Sequence, residues 1–138
     1  MPKFGSTSRK RLETCDERLQ AIANEVVKHV DCSVICGHRN KEDQNAAVAK
    51  GNSKASYPNG RHNAYPSLAI DIAPYDPTVK GGIPWDDYER LTLFAGFFLG
   101  IARMMYPDVK VIWGNDWDGD FDTKDTGFKD YPHFEIRK

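Results

Sequence analysis

The sequence is poor in cysteine, in net charge and in unbroken apolar runs, and each scarcity excludes something. Its 138 residues include three cysteines, Cys15, Cys32 and Cys36. An odd number without framework spacing excludes a disulfide-stapled scaffold and points to reduced thiols. Cys15 falls on the apolar face of an expected helix, and Cys32 and Cys36 share one face of an expected strand. All three read as small buried hydrophobes. The Cys-x-x-x-Cys pair has no second pair or neighbouring histidine cluster to complete a zinc site. Lys and Arg number 19 against 20 Asp and Glu, a formal charge of −1, which leaves no positive field for nucleic acid or an anionic membrane. The longest apolar stretch, 91–105, is broken by Thr92, Gly96, Gly100 and Arg103 and is too short to span a bilayer. The amino terminus, Met-Pro-Lys-Phe-Gly-Ser, lacks the apolar run of a signal peptide. The expectation is a monomer made in the cytoplasm, without membrane insertion, that meets any external substrate only after release.

What is present is an ordinary globular balance, 40% hydrophobic and 28% charged, sized for one domain spanning 1–138. Leu12, Cys15, Leu19, Ile22, Ala23, Val26 and Val30 recur at helical spacing, predicting one amphipathic helix over 8–30 capped by Thr7 or Ser8. Residues 32–36 read as a short strand, 41–50 as a helix stopped at Gly51, and 51–66 as a loop. A strand follows over 68–73, then a helix over 85–106 with Pro84 in its first turn. Short strands at 109–113 and 133–136 flank a Gly/Asp-rich loop. Two long helices over three or four short strands predict an α+β domain, with no repeat, linker or separate second module.

Five side chains in this frame carry chemistry. His62 and His133 each sit where a loop meets a strand, and Asp71 lies between Ile70 and Ile72 inside a strand. Two histidines and one aspartate make a three-donor set that leaves a metal one position for water. Asp130, three residues before His133, is placed to act as the base that such hydrolysis requires. Arg39, just after Gly37, suits an anionic intermediate or a substrate carboxylate. Singly, each has a plainer reading. Asp71 fits the watery side of an alternating strand, Asp130 an acidic loop, and Arg39 a surface pair with Glu42 or Asp43. His29, near a helix end, reads as structural or surface.

Together these segments resemble the D-Ala-D-Ala carboxypeptidase-like family of zinc peptidases, and within it the single-domain phage endolysins of the L-alanyl-D-glutamate peptidase type. Gly37, Arg39 and Gln44 match the family's Gly-x-Arg with a downstream Gln; His62 leads into Ala69-Ile-Asp71; Asp130 precedes His133 by three. The run Trp113-Gly-Asn-Asp-Trp-Asp is similar to the stretch before the family's catalytic turn. The resemblance spans about residues 4–136. It implies a Hedgehog/DD-peptidase-like fold with a small, mainly antiparallel sheet, Zn²⁺ on His62, Asp71 and His133, Asp130 as base and Arg39 as oxyanion stabiliser. The implied substrate is the peptidoglycan stem peptide, cut between L-Ala and D-Glu. Two departures stand out. His62 and Asp71 lie nine apart where the family has seven, with the extra residues at Tyr65-Pro66, and Gly60 replaces a frequent Ser. A D-Ala-D-Ala carboxypeptidase and a non-catalytic zinc-containing wall-binding domain remain as alternatives, and a nuclease is disfavoured by the charge balance.

Between Asp108 and Asp130 lie seven aspartates against three lysines. Asp116, Asp118, Asp120 and Asp122 alternate along the loop at a spacing that suits Ca²⁺, although Gly127 stands where an EF-hand has its bidentate Glu. A solvated acidic loop is the simpler reading. Trp113 and Trp117 fit equally as core anchors or as walls of a groove.

Overall fold

The computed structural model describes residues 2–124 and 127–137; Asp125, one of the seven aspartates of the acidic segment, lies outside them. The chain forms α1 (Ser6–Leu12), α2 (Glu17–Val27), β1 (Cys32–Cys36), α3 (Lys41–Ala49), β2 (Ala69–Pro74), α4 (Tyr88–Met105), β3 (Lys110–Gly114) and β4 (Asp130–Arg137). The strands make one antiparallel sheet in the order β1-β2-β4-β3, so the expected α+β class holds.

The helix expected over 8–30 is two helices. Thr14 donates its hydroxyl to the Arg11 carbonyl at 2.6 Å, drawing the backbone out of helix. Asp16 then restarts it, its carboxylate accepting from the Arg18 amide at 2.9 Å while its own amide donates to Ser67 at 2.8 Å. Cys15 therefore lies in the break, bridged to Ser67, rather than on a helix face. The start also differs: Gly5 is the N-cap, with no side-chain cap from Thr7 or Ser8. In α4 the cap is Asp87, which accepts from the Arg90 amide at 3.1 Å, so Pro84 lies in the preceding turn.

The period of two along β2 and β4 separates two faces. Ile70, Ile72, Phe134 and Ile136 join Val34, Val111 and Trp113 in the core with Leu19, Ile22 and Val26 of α2 and Phe94, Ala95 and Phe98 of α4. Asp71, His133 and Glu135 alternate with those core residues and are themselves buried, because loops cover the second face. Every residue of β2 is buried.

At the centre of the core Phe98 stacks on Phe134, with ring centroids 4.1 Å apart and both side chains fully buried. Phe98→Ala should cost about 3–5 kcal/mol of unfolding free energy, read from urea melts, with the loss set by how far α4 can settle onto the sheet.

Candidate metal centre and cleft

The central strand β2 meets β4 with Asp71 directly opposite His133. A short 3₁₀ turn, Arg61–Asn63, brings His62 in from the covering loop. His62 Nε2 and His133 Nδ1 each lie 3.2 Å from Asp71 Oδ1 and 3.2 Å from one another. Three donor atoms thus form a nearly equilateral triangle in a dry site, where His62 is 3%, His133 7% and Asp71 8% exposed. Asp71 does not face water. The outward nitrogens fix the rings: His62 Nδ1 donates to the Gly37 carbonyl at 2.7 Å, and His133 Nε2 donates to Glu135 Oε1 at 2.7 Å. Glu135 is in turn held by Arg137 at 2.9 Å and approached by Arg61 at 3.5 Å. A histidine that donates its far nitrogen to a carbonyl or carboxylate presents the near one as a lone pair, the usual arrangement around a bound metal.

Electrostatics tie the same three groups together. Burial pushes the Asp71 carboxyl up, but the His62 charge and hydrogen bonds from both rings overcome it and hold the carboxyl well below the usual range. Burial likewise opposes protonation of His62, yet Asp71 raises it to about 10. His133 is raised to about 9 against its burial, by hydrogen bonds to Asp71 and Glu135. Two N–H groups cannot point at each other across 3.2 Å, so at most one of the two facing nitrogens carries a proton and the other offers a lone pair. Glu135 falls to about 2 despite burial, through its bonds to His133 and Arg137.

Asp130 opens β4, its Oδ2 3.9 Å from His133 Nδ1, and its carboxyl is raised to about 6 by burial and then by the Asp71 charge. A side chain at Gly114 would run into the Asp130 carbonyl, so only glycine lets β3 pass this close. Arg39 is not a surface arginine paired with Glu42 or Asp43. Its guanidinium donates to Gln44 Oε1 at 3.0 Å and lies 3.5 Å from Asp71 Oδ2. Gln44 is fully buried and also donates to Ser53 and to the Ala55 carbonyl at 2.9 and 2.5 Å, tying Arg39 to the covering loop. At Gly60 the backbone amide donates to Asn63 Oδ1 at 2.8 Å, and a Cβ there would lie 2.7 Å from that oxygen. The Asn63 side chain thus occupies the space beside Gly60. Tyr65 is 70% exposed.

Two cavities, of about 550 and 520 Å³, flank the triangle and share Arg39 and Asp130. The first is walled by Trp117, whose ring lies 5.4 Å from that of His133, and carries Lys54, Arg61 and Arg137. Trp113, by contrast, is a core anchor that donates to the Tyr131 carbonyl at 2.7 Å. Glu135, Arg61 and the thiol of Cys36 were not among the candidate site residues read from sequence. Glu135 had a signal, since two residues past His133 in a strand means the same face.

Among the described residues, His/Cys/Asp/Glu groups able to hold a metal are Cys36–His62–Asp71, Asp71–Asp130–His133 and Asp116–Asp118–Asp120. No described helix is long and apolar enough to cross a membrane. Among solved structures, the chain is similar to the Serratia marcescens L-Ala D-Glu endopeptidase ChiX, with a TM-score of 0.71 at 22% identity over 98% of this chain and 90% of that one. That likeness shows the fold. No curated protein sequence matches. The profile of the phage L-alanyl-D-glutamate peptidases matches residues 1–137. A buried donor triangle with an adjacent carboxylate, on this fold and under that match, belongs to a peptidoglycan hydrolase: the chain is a member of the phage L-alanyl-D-glutamate peptidase family.

Proposed function

We propose that His62, Asp71 and His133 hold Zn²⁺, that Asp130 is the general base and that Arg39 steadies the oxyanion during cleavage of the L-Ala–D-Glu bond. The observation that carries this reading is the donor triangle. Its 3.2 Å edges suit neighbouring ligands around a tetrahedral ion, about 3.3 Å apart for bonds of about 2.0 Å. Two neutral histidines and one carboxylate are also a borderline-soft set that zinc favours over magnesium or calcium. Zinc, when bound, would acidify a water and polarise the scissile carbonyl. Asp130 accepts the proton of that water and returns it to the leaving amine. Arg39, pre-oriented by Gln44, offers N–H donors to the developing negative charge. Cavities on both sides of Asp130 leave room for chain on either side of the bond, which favours an endopeptidase over a carboxypeptidase. Recognition rests on this cleft within one catalytic domain.

The acidic loop is a second cation site in this reading. Asp116 is 4% exposed and its Oδ1 has no hydrogen-bond partner among the described residues, while Asp118 and Asp120 bring donors within 4.8 Å. Asp122 stands outside that group of three, its Oδ1 accepting from the Lys124 amide at 2.9 Å. Burial and then the neighbouring carboxylates, against a backbone hydrogen bond, raise the Asp116 carboxyl, a strain that Ca²⁺ would relieve. Because Trp117 belongs to this loop and its ring lies against His133, ordering the loop would firm one wall of the cleft.

Three outcomes test these assignments. Asp130→Ala should retain stoichiometric zinc yet lose at least about a hundredfold in hydrolysis of purified murein, with new amino-terminal D-Glu found by mass analysis only for the unmodified enzyme. If the variant loses its zinc as well, Asp130 is a ligand and not the base. Glu135→Ala should weaken zinc binding about 10–100-fold in a chelator competition, through loss of the His133 hold. Calcium should slow amide exchange across 117–124 and raise the hydrolysis rate; indifference of both to calcium removes the second site.

A further inference from the structure

The strand β1 carries an irregularity with a chemical consequence. Its pairing with β2 runs Cys32 to Pro74, Ser33 to Ala73 and Val34 to Ile72, then skips one residue and sets Cys36 opposite Asp71. The bulged residue is Ile35. Without it, Ile35 would face Asp71 and the thiol would fall on the other side of the strand. With it, Cys36, Asp71 and His133 stand side by side across three neighbouring strands. Bulges beside active sites re-aim side chains in this way.

The thiol is within range of the donors. Cys36 Sγ, a nitrogen of His62 and an oxygen of Asp71 all lie within 4.8 Å of one another. Asp130 makes the corresponding group with Asp71 and His133. Sulfur and base thus flank the triangle on two different edges, His62–Asp71 for the sulfur and Asp71–His133 for the base. The thiol makes a weak hydrogen bond of 3.5 Å to the Gly37 carbonyl, and His62 lies within its reach. Cys36 is only partly buried and lines the second cavity with Arg39, Asp71 and Asp130. Cys15 and Cys32 differ. Both are buried in the core, and burial pushes each thiol up to about 12.

We propose that Cys36 is a fourth protein donor of the metal centre, its sulfur closing the coordination in the substrate-free enzyme. This rests on the metal reading above. On coordination the thiol loses its proton to solvent and a metal–sulfur bond forms; the reverse exchange, sulfur leaving and water entering, opens the position beside Asp130. A set of two histidines, one carboxylate and one thiolate is softer than three donors alone and binds thiophilic ions more tightly.

Cobalt in place of zinc reads the sulfur directly. Co²⁺-loaded wild type should show an intense near-ultraviolet sulfur-to-cobalt charge-transfer band, absent from Cys36→Ser at equal metal occupancy. Equal spectra at equal occupancy overturn the proposal and leave the three-donor site standing. Alkylation of wild type by iodoacetamide, mapped by peptide mass and referred to Cys32, needs no variant. Cys36 should react about tenfold or more slowly with zinc bound than after zinc is removed by chelator. An unchanged rate overturns the proposal, and failure to take up stoichiometric metal overturns both it and the zinc reading.

Discussion

Asp71 sits in the middle of a strand with both faces covered, and a carboxylate taken out of water there must be met by positive charge. Two imidazole rings converge on one of its oxygens and a guanidinium approaches the other. Much of the molecule serves that encounter. Helices α2 and α4 cover the apolar face of the sheet and free the opposite face for polar residues. The loop before β2 brings His62 down onto it, and the Gly37 carbonyl and Glu135 turn the rings. Without those partners the buried carboxylate would be left uncompensated.

Outside the triangle each group is held by a second one. Arg39 alone would be a flexible side chain; Gln44, itself fixed by Ser53 and Ala55, gives it one direction. Glu135 is bonded to Arg137, which donates to the Trp117 carbonyl at 2.6 Å and so joins the His133 support to the cleft wall. Such chains of contact carry geometry from the loops to the reacting atoms, and a pre-oriented donor needs no reorganisation as charge develops.

Part of this was legible in the sequence. The ordered set His62, Asp71, Asp130 and His133 stood out because each residue type is poorly explained by its local surroundings, and the structure brings those four together. The strands and the α4 helix followed from periodicity within a few residues. The break at 13–16 did not, because the apolar spacing runs straight across it: Leu12 at the end of one helix, Cys15 in the break and Leu19 on the next helix all face the core. What ends the first helix is a hydroxyl–carbonyl bond at Thr14 and a pairing with Ser67, more than fifty residues away, which periodicity cannot register. Cys36 was hidden for a related reason. Strict alternation puts it on the same face as Val34 and Cys32, in the core, and only the bulge at Ile35 turns it outward.

That last point bears on how such a centre tolerates change. The loop between His62 and Asp71 runs through the exposed Tyr65, so a change of length there can be absorbed without parting the two side chains. Within a strand the same freedom does not exist, because the side-chain period is two and one extra residue swaps the faces. A single bulge in an outer strand therefore does more to the chemistry of the cleft than a longer loop does. It leaves the neighbouring pairs Val34–Ile72 and Asp71–His133 in register, preserving core and triangle, while changing which β1 side chain meets Asp71. Which side chains surround Asp71 is in this sense a property of backbone register as much as of residue identity.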